Sequence, residues 1–145
     1  MATVIQIKNL PEGYQSIISN GKHAIVGDEP LKSKGTDLGF SPSDLVLSGL
    51  ALCKVATVRY IARLKNWEIS DVKAKLIQEV TKSSTGLKTH VTIRIQIDGN
   101  IDEEQKQELT NQANSCYIHR QLMGEWNIDH AIEMTNFQLQ SSNKI

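Results

Sequence analysis

Ser41-Pro42-Ser43-Asp44-Leu45-Val46-Leu47-Ser48-Gly49-Leu50-Ala51-Leu52-Cys53 opens the longest apolar run of the chain. Its first four residues spell a helix start: Ser41 as N-cap, Pro42 at the first helical position and Asp44 at the third, where a carboxylate closes a capping box and faces the positive helix end. The helix is predicted over residues 42–65, ending at Lys65-Asn66, with Arg59, Arg63 and Lys65 suited to the negative terminus. Ser48, Lys54, Arg59 and Arg63 make it a poor membrane span, so a buried helix and no membrane partner are expected. It is apolar nearly all round and must be covered on every side, more than one small chain with few aromatic residues supplies; a second subunit is the expected cover.

Working outward, short strands are predicted at Val4–Gln6, Ser16–Ile18 and His23–Val26, separated by Pro11-Glu12-Gly13 and by Asn20-Gly21, a strong hairpin signal. Residues 31–40 are rich in Lys, Ser, Gly, Thr and Asp without periodicity and read as a loop. Beyond the helix, 72–80 and 89–98 alternate apolar and polar residues around Ser83-Ser84-Thr85-Gly86, the pattern of a long antiparallel hairpin. Asp102-Glu103-Glu104 starts a polar helix through about Ala113. A break at Asn114-Ser115 precedes a short helix from Cys116 to Met123-Gly124, and a last strand is predicted around Ala131–Leu139. This order makes a single α+β domain over 1–145 rather than a regular βαβ series.

Sixteen basic residues balance sixteen acidic ones among 145. No global field recruits nucleic acid, which leaves a small molecule or another protein chain as partner. The start, Met1-Ala2-Thr3-Val4-Ile5-Gln6, lacks a basic region followed by an apolar stretch, so a cytoplasmic location is expected. In that compartment a cysteine pair is more often redox-active or catalytic than a structural staple.

Cys53 and Cys116 are the only two cysteines. The plain reading of Cys53 is a small buried hydrophobe. The chemical reading is a thiolate nucleophile, which needs a helix N-terminus or a cation beside it. Cys116 has both in its own segment, Cys116-Tyr117-Ile118-His119-Arg120; for Cys53 they must arrive from elsewhere in the fold. Cys53, Cys116 and His119 are three zinc-type ligands without a second pair, so no metal is expected. Nothing suggests the oxyanion hole or orienting third residue of a Cys-His hydrolase. Gly49 and Ala56 read as small surfaces for a close helix crossing, and Trp67 and Trp126 as packing residues.

Gly21-Lys22-His23-Ala24-Ile25-Val26-Gly27-Asp28-Glu29-Pro30, Gly35-Thr36-Asp37-Leu38-Gly39-Phe40-Ser41-Pro42-Ser43-Asp44-Leu45, Leu50-Ala51-Leu52-Cys53 and Asn114-Ser115-Cys116-Tyr117-Ile118-His119-Arg120 together resemble the OsmC/Ohr family over roughly 21–125. The resemblance implies antiparallel sheets wrapped around a long central helix and an intertwined homodimer with active sites at its interface. It implies a thiol-dependent peroxidase of organic hydroperoxides that uses an external dithiol reductant and no cofactor. By motif, Cys53 becomes the peroxidatic thiol and Cys116 the resolving one. Ohr-type members also carry an N-terminal arginine, held by a glutamate near the start of the central helix. This chain has no arginine before Arg59. The nearest substitutes are Lys22 or His23 for the cation and Asp44 for the carboxylate, with His119 and Arg120 as further support. Asp44 already has a role as helix cap and lies roughly opposite Cys53, about 13 Å along the helix. These departures point to an OsmC-like branch, with a weakly active or non-catalytic stress or small-molecule-binding protein as the alternative function.

Overall fold

The computed structural model describes residues 2–135. They form β1 (Gln6–Asn9), β2 (Ser16–Ser19), β3 (Ala24–Gly27), α1 (Pro42–Leu64), β4 (Glu68–Ser83), β5 (Gly86–Asn100), α2 (Glu103–Ala113) and α3 (Tyr117–Met123), with a single 3-10 turn at Leu31–Ser33. The chain divides into two compact units, one running to Leu45 and resuming at Asn127, the other spanning Val46–Trp126.

In the first unit, β1, β2 and β3 form an antiparallel meander in that order. The Asn20-Gly21 turn closes as its residue types dictate: the Asn20 side chain accepts the backbone N–H groups of Lys22 and His23, and Gly21 takes φ 89°. The loop that follows is organised by Asp28, which is buried. Its Oδ1 accepts the N–H groups of Tyr14 and Glu29, and its Oδ2 those of Thr36 and Leu38 together with the Thr36 hydroxyl at 2.5 Å. Burial alone would raise its pKa. The Thr36 hydroxyl and the Leu38, Glu29 and Tyr14 amides outweigh that and hold it at about 2. The expected capping box is present: Ser41 Oγ accepts the Asp44 N–H at 3.2 Å, and Asp44 Oδ2 accepts the Ser41 N–H at 3.0 Å. These bonds draw the Asp44 pKa below its ordinary value.

The C-terminal end of α1 is a Schellman closure. Asn66 is left-handed at φ 55°, the Trp67 N–H returns to Ala62 O, and the Asn66 N–H returns to Arg63 O. β4 and β5 pair antiparallel from Ser83↔Gly86 back to Glu68↔Asn100, longer at both ends than their alternation predicts, with a bulge between Ile69 and Val72. Asp102 caps α2 in a reciprocal box with Gln105. The core of this unit is Val58, Ala62, Ile97, Leu109 and Ala113, with Trp67 packed against it as expected.

Within α1 the buried residues are Leu50, Lys54, Val58 and Ala62, a stripe of four-residue spacing. A lysine occupies one of its positions. The opposite face of the helix lies open, with Leu52 70 % exposed and Tyr60 59 %, and the flanks between are half-buried. The helix is long and apolar enough to cross a membrane, with a mean hydropathy of 1.6, but Lys54 packs into protein. The predicted strand at Ala131–Leu139 is not found over 131–135, which is irregular; 136–139 lie outside the described residues.

Candidate active site

Cys53 sits on α1 at the border between the packed stripe and the open face. At about 100° per residue, Leu50, Lys54 and Leu47 lie roughly 60°, 100° and 120° round the helix from Cys53 on one side, and Gly49 and Ala56 roughly 40° and 60° on the other. The sulfur meets a different helix. Cys53 Sγ accepts the backbone N–H of Ile118 at 3.4 Å, in the first turn of α3. The support that its own segment does not provide therefore comes from about 65 residues further along the chain.

Cys116 is the N-cap of α3, in extended conformation, and is 1 % exposed. The two free thiols thus belong to the same helix start, one on the residue that begins it and the other accepting a hydrogen bond from the amide two residues later. The turn that carries Cys116 is tied down by Ala113 O, which accepts both the Cys116 N–H at 3.4 Å and the Lys54 ammonium at 3.0 Å.

Lys54 is fully buried. Removing an ammonium from water costs several kcal/mol unless acceptors replace the lost hydration. Besides Ala113 O, Lys54 Nζ meets His119 Nδ1 at 2.8 Å. An ammonium can only donate, so Nδ1 is the acceptor and the ring proton rests on Nε2. Burial, and then repulsion from Lys54, lowers the His119 pKa, so the ring is neutral at pH 7. His119 therefore does not serve Cys116 as the expected nearby cation. Arg120 does not either: its Nε donates to Ser115 O at 3.1 Å, and its guanidinium lies over the Tyr117 ring.

Of the N-terminal candidates, Asp44 is engaged as a cap, while Lys22 and His23 are exposed turn residues bonded to Asn20 through their backbone N–H groups. Arg59 and Arg63 are exposed on α1. Lys54 is the residue that sequence reasoning missed as a site group. Its signal was present in the stripe Leu50-Lys54-Val58-Ala62, where a charge stands in an otherwise apolar i, i+4 series.

An apolar cleft of about 460 Å³ runs along this side of α1, lined by Leu47, Leu50, Val91, Ile93, His119 and Met123 among others. His119 is its ionisable group. Its α1 wall is Val46, Leu47 and Leu50, and neither Cys53 nor Lys54 lines it.

The sequence profile described as OsmC-like protein matches residues 35–131, and the chain belongs to that family. Solved structures share the fold. An OsmC-like protein from Mycoplasma pneumoniae aligns with TM-score 0.71 and 23 % identity, covering 86 % of this chain and 89 % of the other. The organic hydroperoxide resistance protein OhrB of Bacillus subtilis aligns with TM-score 0.62 and 21 % identity, covering 86 % and 92 %. One named organic hydroperoxide resistance protein OsmC, from Legionella pneumophila, aligns with TM-score 0.65 and 18 % identity, covering 86 % and 90 %. No curated protein sequence matches the chain.

Proposed function

We propose that this chain is a thiol-dependent peroxidase of organic hydroperoxides, with Cys53 as peroxidatic and Cys116 as resolving thiol. The observation that carries this is the meeting of Cys53 Sγ with the first turn of the helix that Cys116 begins. Family membership and the resemblance in fold to two organic hydroperoxide resistance proteins support it.

The Cys53 thiolate attacks the terminal oxygen of the hydroperoxide. The O–O bond breaks, sulfur is oxidised by two electrons to the sulfenic acid, and the remaining oxygen leaves as an alkoxide that takes up a proton. The Cys116 thiol then condenses with the sulfenic acid, releasing water and forming a disulfide, and an external dithiol restores both thiols. No cofactor enters these steps, and the cytoplasm is the working location that suits them. The Ile118 N–H is already a hydrogen-bond donor to that sulfur.

The protein works as a homodimer in this reading. Gly49, Leu52, Ala56 and Tyr60 share the open face of α1, and a second copy of the helix is the cover that such a face calls for. The test of the function is titration of thiols before and after one equivalent of an organic hydroperoxide. Rapid loss of both thiols per chain is expected; retention of both identifies a binding protein that keeps the fold without the turnover.

A further inference from the structure

The alkoxide that leaves when the O–O bond breaks needs a proton. Lys54 is a buried cation whose ammonium touches a carbonyl and an imidazole, and the imidazole borders the apolar cleft. An ammonium carries three donors and could be held by backbone carbonyls alone. Here one acceptor is a ring nitrogen, and that choice fixes where the ring's own proton resides.

We infer that Lys54 positions His119 as a proton donor: by occupying Nδ1 it keeps the proton on Nε2, and His119 hands that proton to the alkoxide released from the hydroperoxide. The inference rests on the peroxidase reading above. As the Nε2–H bond breaks and the alkoxide becomes an alcohol, a proton passes from the Lys54 ammonium to Nδ1, so the ring stays neutral throughout. Once the alcohol has left, Nδ1 returns its proton to the Lys54 amine and Nε2 takes a proton from solvent, which restores the first tautomer. Lys54 is the positioning residue, and His119 the catalytic one.

The placement of the cleft agrees with this. His119 lines the cleft, and Leu50, one turn before Lys54 on the same stripe, forms part of its α1 wall. His119 directly follows Ile118, whose N–H is already on the Cys53 sulfur.

The test compares two reactions of the same thiol in the intact reduced protein. Attack on an organic hydroperoxide needs a proton for its leaving group; alkylation by iodoacetamide expels iodide and needs none. Lys54→Met and His119→Phe are each expected to slow the hydroperoxide reaction of Cys53 by roughly a hundredfold, while alkylation changes by no more than a few-fold. A Lys54 that only braces the fold would slow both reactions together, and that result, or no change in either, overturns the proposal. Should Lys54→Met fail to fold, nitrogen-15 spectra of the wild-type histidine rings decide: a His119 ring protonated on Nε2 supports the relay, and one protonated on Nδ1 or on both nitrogens overturns it. If wild-type Cys53 does not react with the hydroperoxide at all while His119 shows the Nε2–H tautomer, the peroxidase reading has failed and the relay falls with it.

Discussion

Cys53 Sγ and the backbone N–H of Ile118 stand 3.4 Å apart, so the sulfur of the central helix is held at the first turn of a helix begun by the other cysteine. In the function proposed, that relationship joins two steps of thiol chemistry. The chain segment that supplies the amide to the Cys53 sulfur also carries the second thiol.

Replacing each cysteine should therefore give different outcomes. Cys53→Ser is expected to abolish hydroperoxide turnover, since no other thiol stands at that amide. Cys116→Ser is expected to leave one oxidisable thiol that runs on to the sulfinic acid under excess hydroperoxide, because nothing intercepts the sulfenic acid. Intact mass spectrometry reads both results. Normal dithiol-dependent turnover by Cys116→Ser would remove Cys116 from the resolving role.

The elements of this fold were legible where the signal is local. Ser41-Pro42-Ser43-Asp44 fixed the start of α1 to the residue, and the alternation on either side of Ser83-Ser84-Thr85-Gly86 announced the hairpin. The partner of Cys53 was not legible, because Ile118 reaches it only through the packing of α3 against α1. Lys54 was hidden by its own type. A lysine in an apolar helix reads as solvated or as an argument against a membrane, and its two acceptors lie 59 and 65 residues away. Asp28 was equally silent: its donors come from residues 14, 29, 36 and 38, which only the folded loop gathers. Lys22 and His23 are the nearest N-terminal cations in the sequence, yet their backbone N–H groups close an ordinary Asn-Gly turn.

The Asp28 network sets an acid limit on stability. Its folded-state pKa is lowered to about 2 from an ordinary 3.8, so the carboxylate contributes stability that is fully present above about pH 4 and is lost as pH falls toward 2. Asp28→Asn puts an amide where only acceptors fit, against the N–H groups of Thr36 and Leu38, and should lower the melting temperature by several degrees at pH 7. The gap between the two proteins should narrow between pH 4 and pH 2. A gap that is constant over that range would show that the charge of Asp28 plays no part.

Leu109 on α2 is completely buried and packs with Val58, Ala62, Ile97 and Ala113. Leu109→Ala should cost about 3 kcal/mol. The midpoint of urea unfolding would fall while the slope stays the same. A loss below about 1 kcal/mol would mean that the α1–α2 packing collapses easily.

Gly49 separates the two fates open to the exposed face of α1. Within the chain, a Cβ built at Gly49 meets nothing within 4 Å, so a larger side chain has room there. If α1 stays uncovered, Gly49→Leu exchanges a poor helix former for a good one and should raise stability by roughly 0.5–1 kcal/mol. If a second copy of α1 crosses at Gly49 and Ala56, the same leucine stands where two backbones approach, and overpacking there costs about 1–3 kcal/mol. The homodimer reading expects the second outcome: weaker association on dilution by sedimentation equilibrium, and a melting temperature that depends on protein concentration. Leu52, 70 % exposed on the same face, supplies the independent check. Leu52→Asp would add a charge at the buried seam of a dimer, yet on an uncovered helix it would only improve solubility. A Gly49→Leu protein that is more stable than wild type and unchanged in association state would rule out the crossing at this face.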